Sequence, residues 1–323
     1  MREIRRIVLW DAEPSVVQAS DSLPRSGKTV LVTPHLETAL AACDFAIVAV
    51  RHDQSAALAQ RVLAAGKHLL AEKPVGLNPA EIRSVQQAAA GTGLVASVLY
   101  PRRLHPCAIA MRRHVATREL GPLFSLEARF LTTQVKFRNP SSWLFRRRHS
   151  GGGILLWLGC HYLDLLQHVS GDEITGVAAR LARRSGRRID VEDTAALALQ
   201  FRSGAVGTFH AGYALAFAGS GYLNAGGYDA YLALNGRSGR LVWPGVVPCL
   251  AVELPSGMRK KSYRLRETTS YAGAAGERFV RQFIAAVRGE AAPPSTLADA
   301  LRTAQIIAAA ERSARTGRFT LVV

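Results

Sequence analysis

The stretch Asp44 to Pro74, DFAIVAVRHDQSAALAQRVLAAGKHLLAEKP, sets the fold class. It opens on a continuous apolar run, Phe45 to Val50, of the kind a parallel strand buried on both faces requires. A helix from about Asp53 to Ala65 follows, with Ala56, Leu58, Val62 and Leu63 at helical spacing and Gly66 as its stop. His68 to Ala71 is a second strand. Two strands joined by a helix in so short a span imply a right-handed parallel crossover.

The same rhythm extends both ways. Upstream, Ile7 to Trp10 and Thr29 to Val32 read as strands, with a short helix around His35 to Ala42. Downstream, Asn78-Pro79 starts a helix with proline in its first turn, and Leu94 to Val98 closes the set. After about residue 103 the pattern changes. A helix near His105 to Ala116 leads to long alternating strands at Phe124–Thr133, Ile174–Arg183, Thr194–Phe201, Ala205–Tyr213, Tyr228–Leu234, Leu250–Leu254 and Tyr263–Arg266. Ser203-Gly204, Asn235-Gly236 and Ser256-Gly257 mark turns between some of them. One helix, from about Gly152 to Val169, is inserted after the first of these strands, and two more, near Gly276–Val287 and Thr296–Thr316, finish the chain. The expected architecture is an α/β unit with a doubly wound parallel sheet over residues 1–103. An α+β domain with a large open antiparallel sheet follows over 104–323.

With 323 residues, 48% of them hydrophobic, the composition excludes a disordered polymer and a collagen-like repeat. The net charge of +17 invites a nucleic-acid reading. Only six basic residues are lysines, however, and the 35 arginines are dispersed, Arg146-Arg147-Arg148 being the longest cluster. With no nucleic-acid motif beside them they read as solvated faces, and no nucleic-acid partner is expected. Four scattered cysteines without a CxxC point to a reducing compartment, the cytoplasm. Cys160 beside His161 lacks further spaced ligands, so no metal site is expected. The apolar run Ile7 to Trp10 is too short for a signal peptide, and Gly153 to Leu166, interrupted by His161 and Asp164, is too short to span a bilayer.

Two motifs carry chemistry. Glu72-Lys73-Pro74 sits at the carboxyl end of a parallel strand, where open α/β sheets place their ligands. A lysine there can serve as proton donor or acceptor, although a surface salt bridge to Glu72 is an equal reading. Gly151-Gly152-Gly153 opens the segment ILLWLGCHYLD. Glycines permit close approach to a ligand, and the helix start offers amide N–H groups. Trp157 and His161, at i and i+4, should share a face.

Together these residues resemble the Gfo/Idh/MocA family of oxidoreductases. Asp44 to Gly76 is similar to its central strand–helix–strand ending in E-K-P. YPRRLHP (Tyr100 to Pro106) is similar to its interdomain linker, and GGGILLWLGCHYLD to its glycine-opened helix. Val191 to Thr208 resembles its sheet hairpin, and Ser295 to Phe319 its last helix and turn. The resemblance implies a Rossmann-like domain and hydride transfer between a nicotinamide dinucleotide and a carbinol or ketone of a sugar, cyclitol or related polyol. It implies Lys73 and His161 as catalytic acid/base residues. Asp11, Ala49, Val50, His52, Glu72, Lys73 and Pro74 would face the cofactor, NAD with NADP as the alternative; the Asp11 carboxylate, which repels a 2′-phosphate, favours NAD. Arg103, Arg148, Trp157 and His161 would face the substrate, and Asp164 would make a structural hydrogen bond. Separately, the exposed face of the open sheet makes a homodimer or homotetramer the expected assembly.

Two departures stand out. The acid expected on the glycine-opened helix is Trp157, whose indole can stack on a sugar but accepts no hydrogen bond from a hydroxyl. Before Gly91 the only glycines are Gly27, Gly66 and Gly76, so there is no G-x-G-x-x-G, and the chain reads as lacking the first strand, phosphate loop and helix of the nucleotide fold. Ser26-Gly27-Lys28-Thr29 is no substitute, because Ser22 replaces the first P-loop glycine and a strand follows. Weak dinucleotide binding and an unpaired central strand edge are expected. The alternative is a non-catalytic, cofactor-poor derivative of the family that serves self-association.

Overall fold

The structure, a computed structural model, describes residues 4–13, 15–16, 27–133, 137–216, 228–245, 247–266 and 272–323. Strand β1 (Arg6–Leu9) pairs in parallel with β2 (Thr29–Val32), Arg6 opposite Thr29. Helix α1 (Leu36–Ala41) then leads to β3 (Phe45–Val48), α2 (His52–Ala64), β4 (His68–Ala71), α3 (Pro79–Ala89) and β5 (Ala96–Val98). Local chemistry explains the boundaries. Asn78 caps α3 by accepting the Glu81 N–H at 3.0 Å, and Gly66, at φ 72°, takes the chain out of α2 in the left-handed region.

Strands β3, β4 and β5 form one parallel sheet in that order, and β1–β2 a separate pair; among the described residues no ladder joins the two. The expectation that β3 is buried on both faces is therefore corrected. Among the described residues it is an edge strand, paired only with β4, and Ile47 stays 53% exposed.

After β5, a 3₁₀ turn (Pro101–Leu104) and α4 (Pro106–Ala116) lead to β6 (Leu123–Thr132). A π-helical turn (Leu155–Gly159) opens α5 (Cys160–Ser170), and β7 (Ile174–Ala182), β8 (Thr194–Phe201) and β9 (Val206–Gly212) follow. Next come β10 (Tyr228–Gly236), β11 (Gly239–Trp243), β12 (Cys249–Leu254), β13 (Gly257–Ser262), α6 (Gly273–Val287), α7 (Leu297–Thr316) and β14 (Thr320–Leu321). Nine strands make one sheet in the order β13-β12-β11-β10-β6-β9-β8-β7-β14. The sheet is mixed rather than antiparallel, because β6 and β9 run parallel, Ser125 opposite Val206. The chain leaves β6 through α5 and the β7–β8 hairpin, and so returns beside β6 in the same direction.

Strand β13 also replaces an expectation. It spans Gly257–Ser262, whereas residues 263–266, read as a strand, form none. Its charged, exposed sequence GMRKKS suits the last strand of the sheet, where unpaired backbone would otherwise invite another chain.

Alternation gives the sheet two different faces. On β8, Ala195, Leu197, Leu199 and Phe201 are buried, while Ala196, Ala198 and Gln200 are exposed. The open face carries two shallow depressions of about 520 and 720 Å³, lined largely by small residues such as Ala178, Ala196, Ala198 and Thr208. Their linings also include Arg180 and His210 in one and Glu127 in the other.

The last two helices pack back on the N-terminal unit. Phe283 of α6 meets Phe45 edge-on at 5.3 Å. Ahead of α7, the Ser97 hydroxyl donates to the Ser295 carbonyl at 2.8 Å, and the Ser295 hydroxyl donates to the Val98 carbonyl. Thr296 and Asp299 then close a capping box on α7.

Candidate active site

Lys73 follows β4 and precedes Pro74 across a cis peptide bond. The strand delivers it inward: Glu72 N–H still donates to the Val48 carbonyl at 2.8 Å, and the Lys73 side chain is buried. Its Nζ donates to the Trp157 carbonyl at 2.6 Å, tying the E-K-P turn to the glycine-opened helix. A lysine anchored by one donor keeps two others for a reacting oxygen.

The triple glycine serves the chain's own backbone. A Cβ on Gly153 would lie 1.8 Å from the Glu192 carbonyl oxygen, and one on Gly151, at φ 79°, 2.8 Å from Leu156 Cδ2. The helix start is likewise occupied. Glu192 accepts from Gly153 N–H at 2.9 Å and from Leu155 N–H at 3.3 Å through its carboxylate, and from Ile154 N–H at 3.0 Å through its carbonyl. The expectation of a ligand at these amides is corrected: a buried carboxylate takes them, as the helix dipole favours. Burial raises the Glu192 pKa, against the amides that favour its charged form. Arg147 pairs with Glu192 at 3.3 Å and Glu311 at 2.9 Å, so this member of the arginine cluster is structural. Arg148 is exposed.

The π-helical turn also changes the relation of Trp157 to His161, since an added residue per turn breaks the i, i+4 face. The Trp157 indole is buried among Phe145, Tyr213 and Arg138, whose guanidinium carbon lies 4.8 Å from its ring centroid. What Trp157 offers the site is its carbonyl, not a face for a sugar. His161 sits instead edge-on to Tyr100 at 5.9 Å. Its Nδ1 is buried without a partner, leaving Nε2 as the nitrogen able to meet a ligand. Burial holds the ring neutral, its pKa well below the usual imidazole range, and the Lys73 and Arg102 charges push it further down.

Arg103, expected at the substrate, is taken up in the core. It is a fork to Asp164 at 2.9 and 2.5 Å, and it also donates to Asp299 at 3.2 Å and to the Pro294 carbonyl at 3.3 Å. These contacts spend its donors and clamp the interdomain turn to α5 and α7.

Of the residues expected at the cofactor, Asp11 lies just past β1, where one carboxylate oxygen accepts Glu13 N–H at 2.9 Å. Ala49 and Val50 follow β3, and Glu72, Lys73 and buried Pro74 follow β4, so these groups share the carboxyl edge of parallel strands. His52 turns away. Its Nδ1–H donates to the Ser150 carbonyl at 2.8 Å and its ring meets Trp143 edge-on at 4.9 Å, which docks α2 on the loop before the glycines. Neighbouring Asp53 pairs with His149 at 2.7 Å and Arg51 at 3.1 Å.

Burial lowers the His52 pKa to about 4, His105 to about 4 and His168 to about 3. Because each folded value lies below the unfolded one, the unfolded chain takes up protons first. The stability from these rings is present above about pH 6.5 and drains away as pH falls toward 4, at about 1.4 kcal/mol per pH unit for each ring. Melting curves from pH 7 to 4.5 should fall steeply, and His52→Asn, which keeps a donor for Ser150, should flatten the slope. An unchanged slope would show that His52 is not among the groups responsible.

Among the described residues no helix is long and apolar enough to cross a membrane, and no group of three or more His, Cys, Asp or Glu could hold a metal. Sequence reading missed Glu192 and Tyr100 as parts of the site. Tyr100 was visible only as the first letter of a linker, and Glu192 only as an acid before a strand.

Comparison with known proteins places these features in a family. Residues 11–100 match a family model described as an oxidoreductase family with an NAD-binding Rossmann fold, and residues 109–242 match the GFO/IDH/MocA C-terminal domain. Trans-1,2-dihydrobenzene-1,2-diol dehydrogenase from Sus scrofa is 31% identical over 166 residues, 51% of this chain and 48% of that protein. The match thus spans about half the length of that relative. A 1,5-anhydro-D-fructose reductase from Ensifer adhaerens is 25% identical over 257 residues, 79% of this chain and 72% of that protein. Among solved structures, levoglucosan dehydrogenase in complex with NADH and levoglucosan superposes with a TM-score of 0.85 at 20% identity, covering 99% of this chain and 90% of that one. Aldose–aldose oxidoreductase from Caulobacter crescentus, complexed with glycerol, gives 0.79 at 20% identity, covering 98% and 91%. At these identities the superpositions show a shared fold.

Proposed function

The chain belongs to the Gfo/Idh/MocA family of oxidoreductases, and from that premise we propose that it catalyses reversible oxidation of a carbinol on a sugar, cyclitol or related polyol. The observation that carries the reading is the buried Lys73 ammonium, anchored on the Trp157 carbonyl beside His161. Lys73 Nζ would hold the reacting oxygen and take or return its proton, in the role of general acid/base. The neutral His161 would accept or donate through Nε2, since Nδ1 is shut away. Loss of a carboxylate at Trp157 leaves proton transfer to these two groups.

The fit of a nicotinamide dinucleotide is good at its two ends. Asp11, just past β1, would take the ribose hydroxyls, which favours NAD, and Ala49, Val50, Glu72, Lys73 and Pro74, past β3 and β4, would hold the other end. The nicotinamide, when bound, supplies the hydride acceptor or donor. Between the two ends no glycine-rich turn offers amides to a pyrophosphate, and the β1–β2 pair shares no ladder with β3. Calorimetric titration of this chain with NADH should accordingly give a Kd weaker than about 10 μM, or −7 kcal/mol. Tighter binding would show that another part of the chain cradles the phosphates, and no binding by calorimetry or fluorescence would remove the cofactor reading.

The open sheet face, with its small exposed residues, supports self-association of two or four copies. Sedimentation as a monomer at micromolar concentration would end that part of the proposal.

A further inference from the structure

The turn after β5 carries two arginines with opposite fates. Arg103 spends its donors inside the protein, as described above. Arg102 does not. Its guanidinium carbon rests 4.8 Å from the Tyr162 ring centroid and 5.5 Å from that of Phe130, two rings that stack on each other at 4.9 Å. It is half-buried, and among the described residues no carboxylate, carbonyl or hydroxyl accepts a hydrogen bond from it. A guanidinium laid on aromatic faces has lost rotamer freedom and part of its water, yet keeps a planar fork of five donors, the arrangement suited to an incoming carboxylate or phosphate.

Its position ties that fork to the site. Strands β4 and β5 are adjacent, Ala71 opposite Val98, so Lys73 and Arg102 emerge from the same carboxyl edge. Tyr162, the platform, is the next residue after His161 on α5. The charges that bear on His161 are Lys73 and Arg102, both cations, with no carboxylate among them. Asp164, the nearest acid along the helix, is consumed by Arg103. A neutral polyol would leave this cationic corner uncompensated.

We propose that Arg102 is a specificity-determining residue that binds an anionic substituent, a carboxylate or a phosphate, on the substrate handled by Lys73 and His161. The carbinol chemistry rests on the oxidoreductase reading above; the anion contact does not. The substrate class is then a sugar acid or sugar phosphate rather than a neutral sugar.

The test is calorimetric titration of the full chain, without nicotinamide, with sorbitol, gluconate and sorbitol 6-phosphate. These share a six-carbon polyol skeleton and differ in the anion. At least one anion should bind about tenfold or more tighter than sorbitol, as expected for a charge-assisted hydrogen bond. Arg102→Met, which keeps an apolar stem over Tyr162 and Phe130, should erase that preference without lowering the melting temperature, while Arg102→Lys should retain part of it. Preference for gluconate identifies a carboxylate, and preference for the phosphate a phosphoryl group. Equal affinity for all three, no anion binding at millimolar concentration, or an undiminished preference in Arg102→Met would overturn the proposal. Because no cofactor is present, loss of the oxidoreductase reading would show separately, as absent NADH binding with the anion preference intact.

Discussion

Lys73→Met is expected to lower kcat for polyol oxidation by about 10²–10⁴-fold, the range for removal of a positioned acid/base group. KM should change far less, because the side chain meets the reacting oxygen and not the rest of the substrate. The substitution keeps the stem in its buried slot but removes the 2.6 Å bond to the Trp157 carbonyl, which keeps a weak bond from Cys160 Sγ at 3.7 Å. That loss should cost about 1–3 kcal/mol of stability, so the folded fraction must be measured by circular dichroism alongside turnover. A folded Lys73→Met protein with wild-type kcat would remove Lys73 from the mechanism.

Among the described glycines, Gly153→Ala should bring the closest backbone clash. Its new methyl would stand 1.8 Å from the Glu192 carbonyl oxygen, which is backbone and cannot swing aside. Relief requires separating the helix start from the chain at Glu192, with the loss of three hydrogen bonds to Glu192. Overpacking of this kind costs about 1–3 kcal/mol, and buried amides left without acceptors add a similar amount. Denaturant unfolding should therefore show a loss of at least about 3 kcal/mol. Gly152→Ala, whose nearest neighbour would be Leu156 Cβ at 3.3 Å, should cost much less. Equal effects from the two would mean that Glu192 does not cap this helix.

Much of the fold was legible because its signals are local. The apolar run at Phe45, the period of α2, the stop at Gly66 and the cap at Asn78 each depend on a few adjacent residues, and the elements from β1 to β5 begin and end within one or two residues of the reading. That Lys73 and His161 come near each other was legible through the motifs around them. Strand β13 was misplaced because a charged edge strand and a charged turn have the same composition.

The site's interior was not legible, for a different reason. A glycine shows that a backbone comes close, but not whose: here Glu192, thirty-nine residues on, fills the space a ligand was expected to use. Adjacent arginines at 102 and 103 are indistinguishable as letters, yet one is bound to Asp164 and Asp299 and the other lies free on two rings. Trp157 serves through a carbonyl, an atom every residue has. By itself the sequence determined the order of elements through β5, the change from a parallel unit to a large open sheet, and the family, since hydrophobic period and turn chemistry act between near neighbours. Only the tertiary structure decided which polar groups are spent and which remain for a substrate, because each hydrogen bond is settled by partners brought together from distant parts of the chain.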